Sequence, residues 1–311
     1  MVPHPTMTIC TASIFKWIYP DGEVGSGIIA ASDRMLSDGG LGIEYEASRW
    51  KALILGTKHM VFVAGELTFN SLALSRLVKS FDIDAKPTTR DIADDYGRIV
   101  SQCAFERAAK RIVEPLGIAA DRWHSNDLRW QEIGLPEGVL SQVLDQLQSE
   151  RVDCEAIILG CDGREAHIFR VDNRGIVTLH DDIGFVSIGS GGIHASGYYM
   201  QAPYNHMMGY HRALLLTYFG KKRAEVAPGV GRSTDMFLIT GDGAGEVSQI
   251  ELAALGKAFQ RAEQSSKRLL PSLEKAMAAA AEKEVARRSA LLPAESQQEN
   301  ETAGDDVSVL K

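Results

Sequence analysis

KALILGTKHMVFVAG, residues Lys51 to Gly65, is the stretch on which the fold is decided. Ala52 to Leu55 and Met60 to Ala64 are short apolar runs with β-branched and aromatic residues, the composition of buried strands. Gly56, Thr57, Lys58 and His59 between them supply the turn. Upstream, Thr8 to Phe15 and Gly27 to Asp33 have the same strand character, separated by the turn signal Pro20-Asp21-Gly22 and by Gly25. Downstream, Leu74, Leu77, Val78 and Phe81 share one face of a helix expected from about Asn70. Thr88 to Asp91 then forms a helix-capping sequence ahead of the stripe Ile92, Tyr96, Ile99, Val100 and Cys103.

The second half returns to strands at Cys154–Cys161, Ala166–Val171, Gly175–His180, Phe185–Ile188 and Asp235–Thr240. Gly189-Ser190-Gly191-Gly192 leads into helical sequence, and a further helix is expected over Met208 to Ala224. Residues from about 115 to 150 form an added segment with Trp123 and Trp130, ending in a helix over Pro136 to Gln148. The two strand-rich halves suggest two sheets packed together with helices outside. From Leu252 to 293 the composition shifts to Ala, Glu, Lys and Arg, and Pro271 is expected to divide this region into two helices. Residues 294–311 have little to bury and are expected to be disordered.

Composition excludes several classes of function. The 311 residues carry a net charge of −8, which gives no basic footprint for nucleic acid. No apolar run approaches the roughly 20 residues of a membrane span. The start, MVPHPTMTIC, lacks a signal-peptide pattern, so a cytoplasmic location is expected. Cys10, Cys103, Cys154 and Cys161 form no C-x-x-C pair and read as buried reduced thiols. The nearest histidines, His206 and His211, are five apart and share no helix face, so no metal site and no cofactor is expected.

Four stretches together carry a resemblance: Met7 to Cys10, Ala31-Ser32-Asp33-Arg34, Lys51 to Gly65, and Ile188 to Gly191. Asp235 to Gly243 adds a fifth. Their order and spacing, above all the fourteen-residue step from Lys51 to Gly65, resemble the proteasome β-subunit family and its bacterial relatives, including the ancestral β-subunit (Anbu) type. The resemblance covers about residues 7–245. It implies an α+β fold, the four-layer αββα sandwich of two antiparallel sheets with helices outside that N-terminal-nucleophile hydrolases share. The proteasome-like domain then spans residues 8–251, after an extension at 1–7.

The resemblance also implies a chemistry. A threonine hydroxyl is a weak nucleophile until a base takes its proton. The α-amine of the same residue, once it is the chain's first, has an ordinary pKa of about 7.7–8.0 and suits that task. By resemblance Thr8 attacks, Lys51 favours the neutral amine and the alkoxide, and Asp33 holds Lys51. The N–H of Gly65 faces the oxyanion, and Ser190 relays the amine's proton. Val63 and Leu67 flank Gly65 as candidate walls of an apolar substrate pocket, with core packing the alternative for Val63. Each residue also has a plainer reading: Thr8 as a strand residue, Asp33 as a cap or a partner of Arg34, Lys51 as a strand end, Gly65 as a turn, Ser190 as a helix cap.

Thr6 and Thr11 compete with Thr8, Thr6 being the second choice; Met7 as initiator, once removed, exposes Thr8, whereas a start at Met1 requires cleavage after Met7. The resemblance departs at Ala224 to Arg232, where the family's Asp followed three residues later by Ser-Gly is absent and Glu225 is the one acid. Asp235 reads as structural. The expected partners are further copies of the chain in a ring or helical assembly, a peptide or unfolded-protein substrate and a separate ATPase, since no G-x-x-x-x-G-K-[ST] run occurs. A small-amide hydrolase of the same fold and a catalytically silent scaffold subunit are the competing functions.

Overall fold

The computed structural model describes residues 8–38, 43–46, 51–117, 136–150 and 152–291. Trp123 and Trp130, the extension at 1–7 and the tail at 294–311 lie outside these residues. The chain divides into two units, the first running to Leu252.

In the first unit, β1 (Cys10–Ile18) and β2 (Val24–Ser32) form a hairpin that reverses at Pro20 to Gly22. Gly22 sits at φ +86°, a conformation that costs a glycine little. A short separate hairpin follows, β3 (Met35–Asp38) with β4 (Ile43–Glu46). The Lys51–Gly65 stretch is the expected strand pair, β5 (Ala52–Leu55) and β6 (His59–Gly65). Next come helices α1 (Leu67–Ser80), α2 (Thr89–Ala108) and α3 (Glu137–Ser149). Strands β7 (Cys154–Asp162), β8 (Glu165–Val171), β9 (Val177–Leu179) and β10 (Phe185–Ile188) precede α4 (Gly192–Gln201) and α5 (Tyr210–Ala224). The unit's last strands are β11 (Asp235–Thr240) and β12 (Gly243–Glu246).

The strands form two five-stranded antiparallel sheets, ordered β10-β1-β2-β11-β12 and β5-β6-β7-β8-β9. This corrects the expectation that each half of the sequence makes one sheet: both sheets draw on both halves. Hairpin neighbours such as β1–β2 pair locally and announce themselves by turn residues. The joins β1–β10, β2–β11 and β6–β7 are long-range and leave no local signal.

Alternation along the strands builds two cores. Ala12, Ile14, Ile28 and Ala30 of the first sheet meet Phe62, Ile157, Leu159 and Ile168 of the second. Phe62 and Phe237 pack edge to face there, their centroids 5.6 Å apart. On the other side of the second sheet, Val61, Val63, Ile158 and Phe169 pack against Phe69 and Leu77 of α1 and Ile92, Tyr96 and Val100 of α2. Helices α4 and α5 cover the outer face of the first sheet, where Ile9 packs with Ala195 and Ala224. The layers therefore run helix, sheet, sheet, helix, as expected.

Helix α1 differs from the sequence expectation, whereas the cap of α2 agrees with it. Helix α1 starts at Leu67, and its buried face is Phe69, Ala73 and Leu77, leaving Val78 50% exposed. The cap at Thr88 is a full capping box: the Asp91 N–H donates to Thr88 Oγ1 (3.2 Å) and the Thr88 N–H to Asp91 Oδ2 (2.9 Å). The second unit begins at Ala253. Its described part belongs to one helix, α6 (Gln249–Leu291), which runs through Pro271 without dividing. A proline inside a helix costs about 3 kcal/mol, and the Ala, Leu, Glu and Lys residues on both sides are strong enough helix formers to offset it. The Ser272 hydroxyl donates to the Leu269 carbonyl in that turn (2.7 Å).

Candidate active site

Strand register builds the site. In the β1–β2 hairpin Cys10 opposes Ser32, so one pair further on Ile9 faces Asp33, whose N–H donates to the Ile9 carbonyl (3.2 Å). On the other edge of β1, Cys10 opposes Ile188. Two pairs further on, Thr8 comes level with Ser190. The second sheet supplies Lys51 just before β5, where its carbonyl accepts from the Val63 N–H (3.2 Å). Residues distant in sequence thus meet at one end of the sandwich.

At the centre, the Thr8 hydroxyl donates to Asp33 Oδ1 (2.7 Å) and accepts a short hydrogen bond from Lys51 Nζ. Lys51 Nζ also lies 2.8 Å from Asp33 Oδ1, an ion pair whose side chains are 5% and 0% exposed. Asp33 is held by backbone donors as well: Ile9 (3.1 Å) to Oδ1, and Met35 (3.2 Å) and Gly231 (2.8 Å) to Oδ2. A buried carboxylate needs such partners, because an unpaired charge out of water is costly. The Thr8 N–H donates to Ser190 Oγ (3.2 Å), and the Thr8 carbonyl accepts from the Gly191 N–H (3.1 Å). Thr8, Asp33, Lys51 and Ser190 are therefore together.

Two plainer readings, Asp33 as the partner of Arg34 and Ser190 as a helix cap, are not what the contacts show, whereas Asp33 does cap the end of β2 through the Met35 N–H. Arg34 pairs with Asp235, its Nε 2.9 Å and its Nη2 2.5 Å from the two carboxylate oxygens, which leaves Asp33 to the site. Helix α4 is capped at Gly191 without a side-chain bond, so Ser190 does not cap it.

Gly65 ends β6 at φ +117°, and a Cβ there would lie 2.1 Å from the Asp153 carbonyl oxygen. Both facts demand glycine. The strand end runs beside the start of β1, because Cys10 Sγ donates to the Val63 carbonyl (3.5 Å). Asn70 of α1 fixes the corner by donating to the Ala64 carbonyl (3.1 Å). The Val63 side chain is buried in the helix-facing core, so packing is its role rather than lining a pocket. Leu67 is half-buried at the start of α1. Burial pushes the Cys10 thiol up to about 12, with nearby Lys51 opposing the shift.

The departure at residues 224–232 is also resolved. Glu225 does not face Thr8. It binds Lys221 Nζ (2.6 Å) and Lys222 Nζ (2.7 Å). The loop instead offers its backbone: the Gly231 N–H to Asp33, and the Pro228 carbonyl to the Ser190 hydroxyl (3.4 Å). Lys221 was not singled out from the sequence. Its signal was available, a lysine among Thr217, Gly220 and Ala224 on the buried face of α5. Burial pushes its ammonium below its ordinary value, and Glu225 opposes that shift. Glu155 of β7 was also missed; it accepts from the Gly189 N–H (3.2 Å) and pairs with Arg170.

Among the described residues no cluster fit to hold a metal ion occurs, and no helix is long and apolar enough to cross a membrane. All four cysteines are free and buried. No protein-family model and no curated protein matches the chain in sequence. In three dimensions it is similar to Anbu (ancestral beta-subunit) from Yersinia bercovieri, with a TM-score of 0.55 and 13% identity over 84% of this chain and 97% of that one. At that identity the likeness is one of fold, and it agrees with the two-sheet sandwich described above.

Proposed function

We propose that this chain is an N-terminal-nucleophile amide hydrolase of the threonine-peptidase kind, with Thr8 as the attacking residue. The observation that carries the reading is the placement of Thr8 Oγ1 between Lys51 Nζ and Asp33 Oδ1. A buried ammonium beside a hydroxyl favours the alkoxide that forms as the proton leaves.

In this mechanism the residues ahead of Thr8 are absent from the mature chain and Thr8 is its first residue. Its amine takes the hydroxyl proton, and Oγ1 attacks the substrate carbonyl carbon. The resulting oxyanion accepts from the Gly65 N–H, a contact of about 3 kcal/mol in the transition state. The amine's proton passes to the leaving nitrogen, with Ser190 Oγ beside it as relay. Water, deprotonated by the same amine, then cleaves the ester on Thr8. Asp33 serves as a fixed counter-charge that keeps Lys51 aimed at Oγ1. The substrate class is a peptide or unfolded protein, and the working form is a ring or helical assembly of identical chains. A separate ATPase would deliver folded substrates.

Intact mass and N-terminal sequencing of protein from its native host test the first step. A chain beginning at Thr8 is expected, and one that keeps Met7 sinks the catalytic role of Thr8 in favour of a silent scaffold. In protein beginning at position 8, Thr8→Ala and Lys51→Ala should each lower labelling by a peptide epoxyketone roughly 10³-fold or more. Persistent labelling in both variants would assign the chemistry to another nucleophile. Turnover of small amides without any peptide cleavage would move the substrate class.

A further inference from the structure

Resting on that reading of Thr8, we infer that Lys221 is a positioning residue, whose buried ammonium gathers the loop from Glu225 to Arg232 and so presents Gly231 to Asp33. Three observations converge. The Lys221 side chain is 0% exposed, an unusual state for a lysine. Its three donors are all used within one loop: Glu225 Oε1 (2.6 Å), the Gly231 carbonyl (2.8 Å) and the Arg232 carbonyl (3.2 Å). The same residue, Gly231, donates its N–H to Asp33 Oδ2 (2.8 Å).

The geometry makes Gly231 a relay between two charged groups. Lys221 holds the residue's carbonyl, and Asp33 takes its N–H. Asp33 Oδ1 in turn faces Thr8 Oγ1 and Lys51. The loop also reaches the other side of Thr8, since the Pro228 carbonyl accepts from Ser190. One lysine therefore sets the loop that supports both Asp33 and Ser190. Glu225 lowers the cost of burying the ammonium, and Lys222 shares that carboxylate. No part of Lys221 is among the groups that contact the Thr8 hydroxyl.

The test uses protein beginning at Thr8, with Lys221→Met, close to lysine in length but without donors, and Glu225→Gln, which keeps both carbonyl contacts. Rates are normalised to the fraction of sites an epoxyketone titrates, so unfolded protein does not count. Lys221→Met is expected to lower kcat on the order of 10²-fold while KM stays within about threefold. Hydrogen exchange of the 225–234 segment should quicken in that variant. Glu225→Gln should cost far less of kcat, because the carbonyl tether remains. A Lys221→Met enzyme that melts earlier but keeps its normalised kcat overturns the inference, as does unchanged exchange in the loop. Equal losses in the two variants overturn it too, because they assign the effect to the ion pair. Wild-type protein that is neither labelled nor active overturns the hydrolase reading instead, and the exchange comparison still decides the tether.

Discussion

Cys10 lies two residues from Thr8 and near Lys51, and a less buried thiol so close to an ammonium would be reactive. Here burial wins over the ammonium: the thiol is pushed up to about 12 and its sulfur is bonded to the Val63 carbonyl. Folded protein is therefore expected to resist alkylation by iodoacetamide at Cys10 near neutral pH, with modification appearing only on unfolding. Peptide mapping that finds Cys10 modified at the rate of a free thiol in folded protein would contradict this. At this scale the sequence was informative where chemistry restricts the residue type. Thr8, Asp33, Lys51 and Ser190 were legible as a set because their spacing resembled a known pattern. Gly231 and Pro228 were not, because they act through backbone groups that every residue possesses. Lys221 carried a weak signal, a charge on an apolar helix face, which is outweighed in most sequences by lysines whose stems simply cover apolar surface.

Among the elements, the corner between β6 and α1 shows how a strand end is fixed. Gly65 at φ +117° allows the Glu66 N–H to reach the Asp153 carbonyl (2.6 Å), and Asn70 reaches back to Ala64. Gly65→Ala adds both a backbone conformation that L-residues avoid and a clash with backbone, so a destabilisation of about 3 kcal/mol or more is expected. Thermal unfolding and epoxyketone labelling should both register it. A variant that melts with the wild type would show the corner to be looser than described. Strands and helix α2 were legible in the sequence because their periodicity and capping residues act locally. The start of α1 was placed late since its cap position is Glu66, which makes no side-chain cap bond, while the capping-type residue Thr68 sits inside the first turn with its hydroxyl on Glu66 Oε1 (2.7 Å). Pro271 misled for the opposite reason: a strong local breaker was outvoted by the helix formers around it.

For the molecule as a whole, a polar pair fixes the chain where it leaves the second sheet for the first. His167 of β8 lies 2.7 Å through Nδ1 from Asp181, two residues past β9 of the same sheet and on the way to β10 of the other. Asp181 also accepts from the Ile168 N–H (2.8 Å). The Asp181 hydrogen bond raises His167 above its ordinary value of 6.5, with Asp162 and Glu165 adding to it and burial opposing. A histidine raised on folding contributes stability fully present below the ordinary value and lost as pH climbs through the raised one. The melting-point deficit of His167→Asn should thus be larger at about pH 5.5 than at about pH 8.5. His59, pushed down by burial, acts in the opposite sense, and comparing variant with wild type at each pH cancels it. A deficit independent of pH would mean that the pair contributes only as a neutral hydrogen bond. Which strands join which sheet was not legible, because the long-range pairings depend on the shape of the assembled core rather than on any one segment.

The spread of the contacts around Thr8 has a consequence for when the site exists. Its hydroxyl and amide meet partners 25, 43 and 182 residues away, and Asp33 meets Gly231 across 198. A chain leaving the ribosome carries Thr8 from the outset, yet Gly231 emerges only after strands β1 to β10, with β11 and β12 of the first sheet still to follow. Closing such long loops is the slow part of folding. The centre therefore waits for most of the chain, and under the proposed function an incomplete or half-folded chain carries no cutting edge with which to damage its neighbours or itself.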